Sequence, residues 1–281
     1  NMITGFAVGQ EEIEAPEIIP YKAVFSGAFV DVPAEAAGKI KKLDYVKAVY
    51  PNFRVKTLLN ESVPLINALP VYNLKDQQGR PVTGENVTIA VIDTGVDYTH
   101  PDLGGCLGSA CKVVGGYDFI NNDNDPMDDH GHGTHVAATA AGKDPNNKFN
   151  GVAPGEKIYA IKVLDSSGSG SWGSVISGVE KAVDPNGDGN FSDHTDIISM
   201  SLGGFGHPDD PLSQAVDRAV DAGVVAVIAA GNSGGYETIN SPGTSRKAIT
   251  VGAMYKDGAI AWFSSRGPFI TENGSFILKP D

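Results

Sequence analysis

The sequence predicts an α/β fold, a mostly parallel sheet with helices on both faces, preceded by a small α+β unit. Three observations lead there. Strand-like runs alternate with segments whose apolar residues recur at helical spacing, the pattern of strands joined by crossover helices. Those runs are nearly unbroken in apolar, often β-branched residues, as in strands covered on both faces. The 35 glycines and 17 prolines are too many for a helical bundle and cluster between the apolar runs, where tight turns belong.

Residues 1–20 hold Glu11, Glu12, Glu14 and Glu17 close together and read as a poorly ordered lead-in. Residues 21–32 are small and apolar like a strand, Pro33 opens a helical stretch to Lys42, and residues 45–50 are strand-like again. Residues 21–57 thus form the small α+β unit. Residues 57–86 are a mixed connector with a turn at Gln78-Gly79-Arg80-Pro81. The main domain, 58–281, begins its sheet at Val87-Thr88-Ile89-Ala90-Val91-Ile92. Helix-like 133–141, strand-like 158–164, helix-like 173–183, strand-like 197–202, helix-like 212–222 and strand-like 224–230 and 248–253 follow. Ligands of such sheets bind at the carboxyl ends of the strands.

Length and charge bound the partners. A chain of 281 residues makes one large domain or two unequal ones. No apolar run approaches the roughly 20 residues that span a bilayer. The net charge of −13 repels phosphate backbones and anionic lipid, which argues against nucleic acid as a partner. Acidity is compatible with calcium binding but does not select it. Cys106 and Cys111 are close enough to bridge if the chain turns between them; a disulfide is preferred over two idle thiols or a metal site, and implies an oxidising, extracellular setting.

Three polar clusters follow strand-like runs. Asp93-Thr94-Gly95 puts a carboxylate at a strand end, His130-Gly131-His132-Gly133-Thr134-His135 leads into a small-residue helix, and Ala229-Ala230-Gly231-Asn232 puts a carboxamide at another strand end. An Asp to orient a His, with an amide to receive an oxyanion, is most of a nucleophilic acyl-transfer site. Taken singly, Asp93 reads as a turn residue, His132 and His135 as a metal pair, and Asn232 as a left-handed turn residue.

Taken together, Val91-Ile92-Asp93-Thr94-Gly95, His132-Gly133-Thr134-His135-Val136-Ala137, Ser199-Met200-Ser201-Leu202-Gly203-Gly204 and Ala229-Ala230-Gly231-Asn232 resemble the subtilisin-like serine peptidases. The resemblance continues through Gly151-Val152-Ala153-Pro154 and Phe263-Ser264-Ser265-Arg266-Gly267-Pro268 and covers about residues 60–281. It implies that Asp93 orients the imidazole, that His132 is general base and then general acid, and that Asn232 donates to the oxyanion. It also implies that Ser201, Leu202 and Gly203 pair with an extended polypeptide substrate, and that Gly204, Ala230 and Gly231 help shape the cleft. Small residues at Gly203, Gly204 and Ala230 lead us to expect room for a large apolar side chain.

The family's nucleophilic serine opens a buried helix in a Gly-Thr-Ser-Met-Ala type motif, after a segment like Leu278-Lys279-Pro280-Asp281, so the serine is expected beyond residue 281. Gly243-Thr244-Ser245 is refused as that motif because Arg246-Lys247 and a strand-like run follow it.

Two further features bear on ligands. Asp184, Asn186, Asp188 and Asn190, with Gly187 and Gly189, match the opening of a calcium loop, although Thr195 stands where a closing Glu belongs. Asp193 or Asp196 is left to close it, and an Asx/Gly turn cluster is the alternative. Asp102 matches a calcium-binding position of the family, and residues 143–150 would be its partner loop. The 21–57 unit resembles the family's propeptide, an intramolecular chaperone and inhibitor, with cleavage within 55–62. The expectation is therefore a secreted, calcium-stabilised serine endopeptidase with its own propeptide as a partner; the rival is a noncatalytic peptide-binding relative.

Overall fold

The computed structural model describes residues 18–21, 27–30, 32–46, 49, 59–146, 148–271 and 274–281. The chain divides into two compact units, residues 1–56 and 57–281. In the first, β1 (Ile18–Tyr21) pairs antiparallel with β2 (Gly27–Val30), Ile18 opposite Val30. Helix α1 (Ala34–Ile40) follows Pro33, with Glu35 in its first turn and Lys39 in its last, each complementing the helix dipole. The hairpin starts within the stretch expected to be a poorly ordered lead-in, and 1–17 lie outside the described residues. Of the strand expected over 45–50, Tyr45 lies in a turn, Val46 and Val49 are in no strand, and 47, 48 and 50 lie outside the described residues.

In the second unit, α2 (Leu59–Leu65) and α3 (Ala68–Val71) precede a six-stranded parallel sheet. Its strands are β3 (Thr88–Asp93), β4 (Val113–Asp118), β5 (Lys157–Lys162), β6 (Ile197–Met200), β7 (Val225–Ala229) and β8 (Ile249–Val251), in spatial order β4-β5-β3-β6-β7-β8. The helices α4 (His132–Ala141), α5 (Trp172–Val183) and α6 (Pro211–Asp221) are the crossovers, and a short hairpin of β9 (Phe269–Ile270) and β10 (Phe276–Ile277) follows. Ser171 caps α5 by accepting the Ser174 N–H at 3.0 Å. Asp210 caps α6 by accepting that of Ser213 at 2.7 Å, and Pro211 sits at the first helical position.

Strand β3 is shared between two cores. Ala90 and Ile92 join Ile161, Val163, Val175, Val179, Ile198 and Val216 on the α5 and α6 side. Ile89 and Val91 join Val96, Leu103, Ala137, Ala141 and Ile158 on the α4 side. Alternate residues thus face opposite cores, which is why the run reads as continuously apolar. On the α4 side the cover thins away from β3. Ile89, Ile197 and Val225 are in register across β3, β6 and β7, and Val225, Ile249 and Val251 are 47%, 47% and 50% exposed.

Strand β4 has no counterpart in the sequence expectation, because Gly115 and Gly116 interrupt its apolar run. Glycine is required at 116: a Cβ there would lie 2.1 Å from the Ala160 carbonyl oxygen on β5. Among the described residues no helix is long and apolar enough to cross a membrane.

Candidate active site

Asp93 ends β3, fully buried. Its Oδ1 accepts the Thr94 N–H at 2.8 Å and lies 2.6 Å from Nδ1 of His132. His132 opens α4 after Gly131, whose φ of 97° suits glycine, and its side chain is 43% exposed. The pair therefore has one end sealed in the protein and the other at the solvent. Close approach of α4 to the β3 end depends on Gly133, where a Cβ would meet the Gly95 carbonyl oxygen at 2.1 Å.

A second carboxylate holds the loop that presents the imidazole. Asp128 accepts the N–H groups of His130, Gly131 and Thr134, each at 2.9 Å, and the hydroxyls of Thr94 and Thr134 at 2.9 and 2.5 Å. Thr94 Oγ1 in turn accepts the Gly133 N–H at 2.9 Å. Burial pushes the Asp128 carboxyl up, but the hydrogen bonds from Thr134, Gly131 and His130 outweigh it and hold the group below the usual carboxylate range.

The carboxyl ends of β6 and β7 complete the site. A cleft of about 690 Å³ is lined by His132 together with Ser201, Leu202, Gly203, Gly204, Gly231 and Asn232, so one surface gathers residues from three segments of the sequence. His130 also lines it, with Trp172 and Ser171 at the start of α5. Ala230, expected at the cleft, lies under it instead: it is 1% exposed, with its N–H donated to the Val251 carbonyl at 2.8 Å and its carbonyl accepting the Asn240 N–H at 2.9 Å.

Asn240 was not singled out by the sequence. Its carboxamide carbon stands 2.8 Å from where a Gly231 Cβ would be, and its Cβ 3.0 Å from a Gly203 Cβ. A polar side chain thus occupies part of the space expected to be open between those glycines. Ser245 is buried, with its hydroxyl donated to Asp217 at 2.5 Å, and does not line the cleft.

The calcium-loop residues are brought together mainly by local bonds. The Asp184 carboxylate accepts the N–H groups of Gly187, Asp188 and Gly189 at 2.8, 3.2 and 2.9 Å. Asn186 Oδ1 accepts that of Asp188, Asp188 that of Asn190, and Asn190 that of Ser192. Asp193 ends a short 3-10 turn, Phe191–Asp193. Asp102 meets the loop expected as its partner through its carbonyl, which accepts the Lys143 N–H at 2.8 Å. Side chains with oxygen donors suit a hard cation, yet among the described residues no three or more His, Cys, Asp or Glu are grouped closely enough to hold a metal ion. Cys106 and Cys111 form a disulfide, with their Cα atoms 5.7 Å apart.

Comparison with known proteins agrees with this architecture. Residues 84–281 match the subtilase family, peptidase family S8. The serine protease AprX of Bacillus subtilis (strain 168) is 38% identical over 287 residues, covering 95% of this chain and 62% of AprX. The minor extracellular protease Vpr of the same organism is 40% identical over 262 residues, covering 83% of this chain and 30% of Vpr. The chain thus spans less than two thirds of either relative. The crystal structure of a cold adapted subtilisin-like serine proteinase superposes with a TM-score of 0.55 at 35% identity, covering 70% of this chain and 66% of that one. A match to the family over most of the chain, on a parallel sheet with Asp93 ending β3, His132 opening α4 and Asn232 following β7, makes this chain a member of the subtilase family, the subtilisin-like serine peptidases.

Proposed function

We propose that the chain is part of a secreted serine endopeptidase that hydrolyses polypeptides through an acyl-enzyme. The observation that carries this is the 2.6 Å contact between Asp93 and His132 on a cleft that also holds Asn232. Asp93 fixes the imidazole with Nδ1–H toward the carboxylate, which leaves Nε2 as the base. A serine hydroxyl attacks the substrate carbonyl carbon and gives its proton to Nε2. The side-chain amide of Asn232 donates to the resulting oxyanion. Nε2 then returns the proton to the departing amine as the C–N bond breaks, leaving an ester on the serine. Water repeats the sequence, with its proton passing through Nε2 and the acid leaving. By the family resemblance the nucleophile is proposed to be a serine after the Leu278-Lys279-Pro280-Asp281 segment; Ser245 donates its hydroxyl to Asp217 and does not line the cleft.

The substrate would lie extended along Ser201, Leu202 and Gly203, with Gly204 and Gly231 bordering the side-chain pocket, and Asn240 narrowing it. The 21–57 unit is proposed as propeptide, and structural calcium is proposed at Asp184, Asn186, Asp188, Asn190 and Asp193 and at Asp102. Secretion is supported by the disulfide and by the extracellular relative Vpr. The test is to treat the full-length gene product with a serine-directed covalent inhibitor and locate the adduct by mass spectrometry. An adduct on a serine after residue 281, lost in His132→Ala, is the expected result. No adduct and no peptide hydrolysis would leave a noncatalytic peptide binder.

A further inference from the structure

Lys162 is the largest fully buried side chain among the described residues. It ends β5 in register with Asp93 on β3 and Asp118 on β4. In-register neighbours of a parallel sheet project to one face, so Lys162 shares the α4 side with Asp93. Its ammonium makes two bonds. One goes to the carbonyl of Thr94, the residue after Asp93, at 2.8 Å. The other goes to Asp129, three residues before His132, at 2.5 Å.

An apolar side chain of similar volume would fill this space without desolvating a charge. What a cation adds is a tie between two acceptors that an apolar side chain would leave apart. Those acceptors belong to the two segments whose separation sets the Asp93 to His132 distance: the turn after β3 and the loop before α4. The Thr94 hydroxyl donated to Asp128 and the Val96 N–H donated to the Pro126 carbonyl, both at 2.9 Å, also join these segments, the first of them beside the ammonium's own acceptors. Asp129 is 50% exposed while the Lys162 side chain is 1% exposed, so the anchor lies on the sheet and the loop is what it restrains.

We propose that Lys162 is a positioning residue for the Asp93–His132 pair, clamping the turn after β3 to the loop that presents the imidazole. The ammonium touches neither substrate nor His132; it acts by holding Thr94 and Asp129. The inference rests on the peptidase reading for its effect on turnover, but not for its effect on the pair itself.

Two measurements keep these apart. In the 281-residue chain, the low-field proton resonance of a carboxylate-bonded His132 Nδ1–H is followed by NMR in the unaltered protein, Lys162→Met and Asp129→Asn. The clamp predicts a sharp resonance in the unaltered chain that broadens or moves upfield in both variants. In the full-length protein, kcat should fall about tenfold in Lys162→Met, as loosened positioning does, with KM within about twofold. Asp129→Asn should lose less, because an amide oxygen still accepts from the ammonium. If Lys162→Met does not fold, Asp129→Asn alters a half-exposed site and decides the matter alone. An unmoved resonance in folded variants overturns the clamp, as does a loss of melting temperature with kcat intact. Absence of turnover in the unaltered full-length protein overturns the peptidase reading instead, and the resonance still decides the clamp.

Discussion

Two acidic regions of the same molecule are built in opposite ways. At the ends of β3 and β5, carboxylates are tied to partners far along the chain: Asp93 to His132, Asp128 to Thr94 and Asp129 to Lys162, at separations of 39, 34 and 33 residues. In the 184–193 loop every bond accepted by Asp184 comes from a residue three to five positions away. The first region is held by the whole sheet and both of its cores, so its geometry exists before any ligand arrives. In the second, the side-chain hydrogen bonds among the described residues run between near neighbours within the loop. Preorganisation suits chemistry, because the donors need no rearrangement as charge develops. A loop fixed only by its neighbours gains most from a bound ion.

The sharpest way to break the comparison is at His132. In the full-length protein, His132→Ala should lower kcat about 10⁴-fold or more while the melting curve stays in place, a magnitude taken from triad removal in subtilisin itself. Retained hydrolysis would remove the imidazole from the chemistry. Gly133→Ala attacks the packing instead of the chemistry. The added methyl meets the Gly95 carbonyl at 2.1 Å, and overpacking of this kind should cost about 2 kcal/mol or more in denaturant melts. It should also separate α4 from the β3 end, so activity falls with stability.

The loop should respond more mildly and to a different stimulus. Added calcium should raise the thermal midpoint by about 5 °C, and Asp184→Ala should remove the part of the rise that the 184–193 loop contributes without changing kcat. An identical midpoint in calcium and in chelator would mean that the loop is complete with its own bonds. The smallest effect concerns acid. The Asp128 carboxyl is held below its ordinary value, so its stabilising contribution is present above the unfolded carboxylate value and is lost as pH falls through the lower, folded value. Thermal melts of Asp128→Asn across that range should show a shallower loss toward acid than the unaltered chain. An equal slope would assign acid sensitivity to other carboxylates.

Long-range order in the site was legible where it coincides with local pattern. Asp93 ends a β-branched run and His132 begins a helix of small residues, so both could be placed at strand and helix ends before any contact was known. Asn240 had no such marker. It reaches the cleft because the chain after β7 folds back, donating the Asn240 N–H to Ala230, and nothing near 240 in sequence announces that turn. Lys162 reads as an ordinary residue within a strand-like run; its ammonium is enclosed by the turn after β3 and the loop before α4, which no pattern near 162 announces. Helices α2 and α3 were hidden for a related reason, since Pro64 and Pro70 stand inside them and normally mark helix ends.

The thinning cover over β7 and β8 has a consequence for handling the protein. Val225, Ile249 and Val251 form a half-exposed apolar stripe, and β8 is also an outer strand of the sheet. Water-facing apolar surface is adhesive, and the net charge of −13 opposes that adhesion only while salt is low. The 281-residue chain is therefore a colloidally poised species, kept dispersed by its own repulsion, which salting would bring together through this stripe.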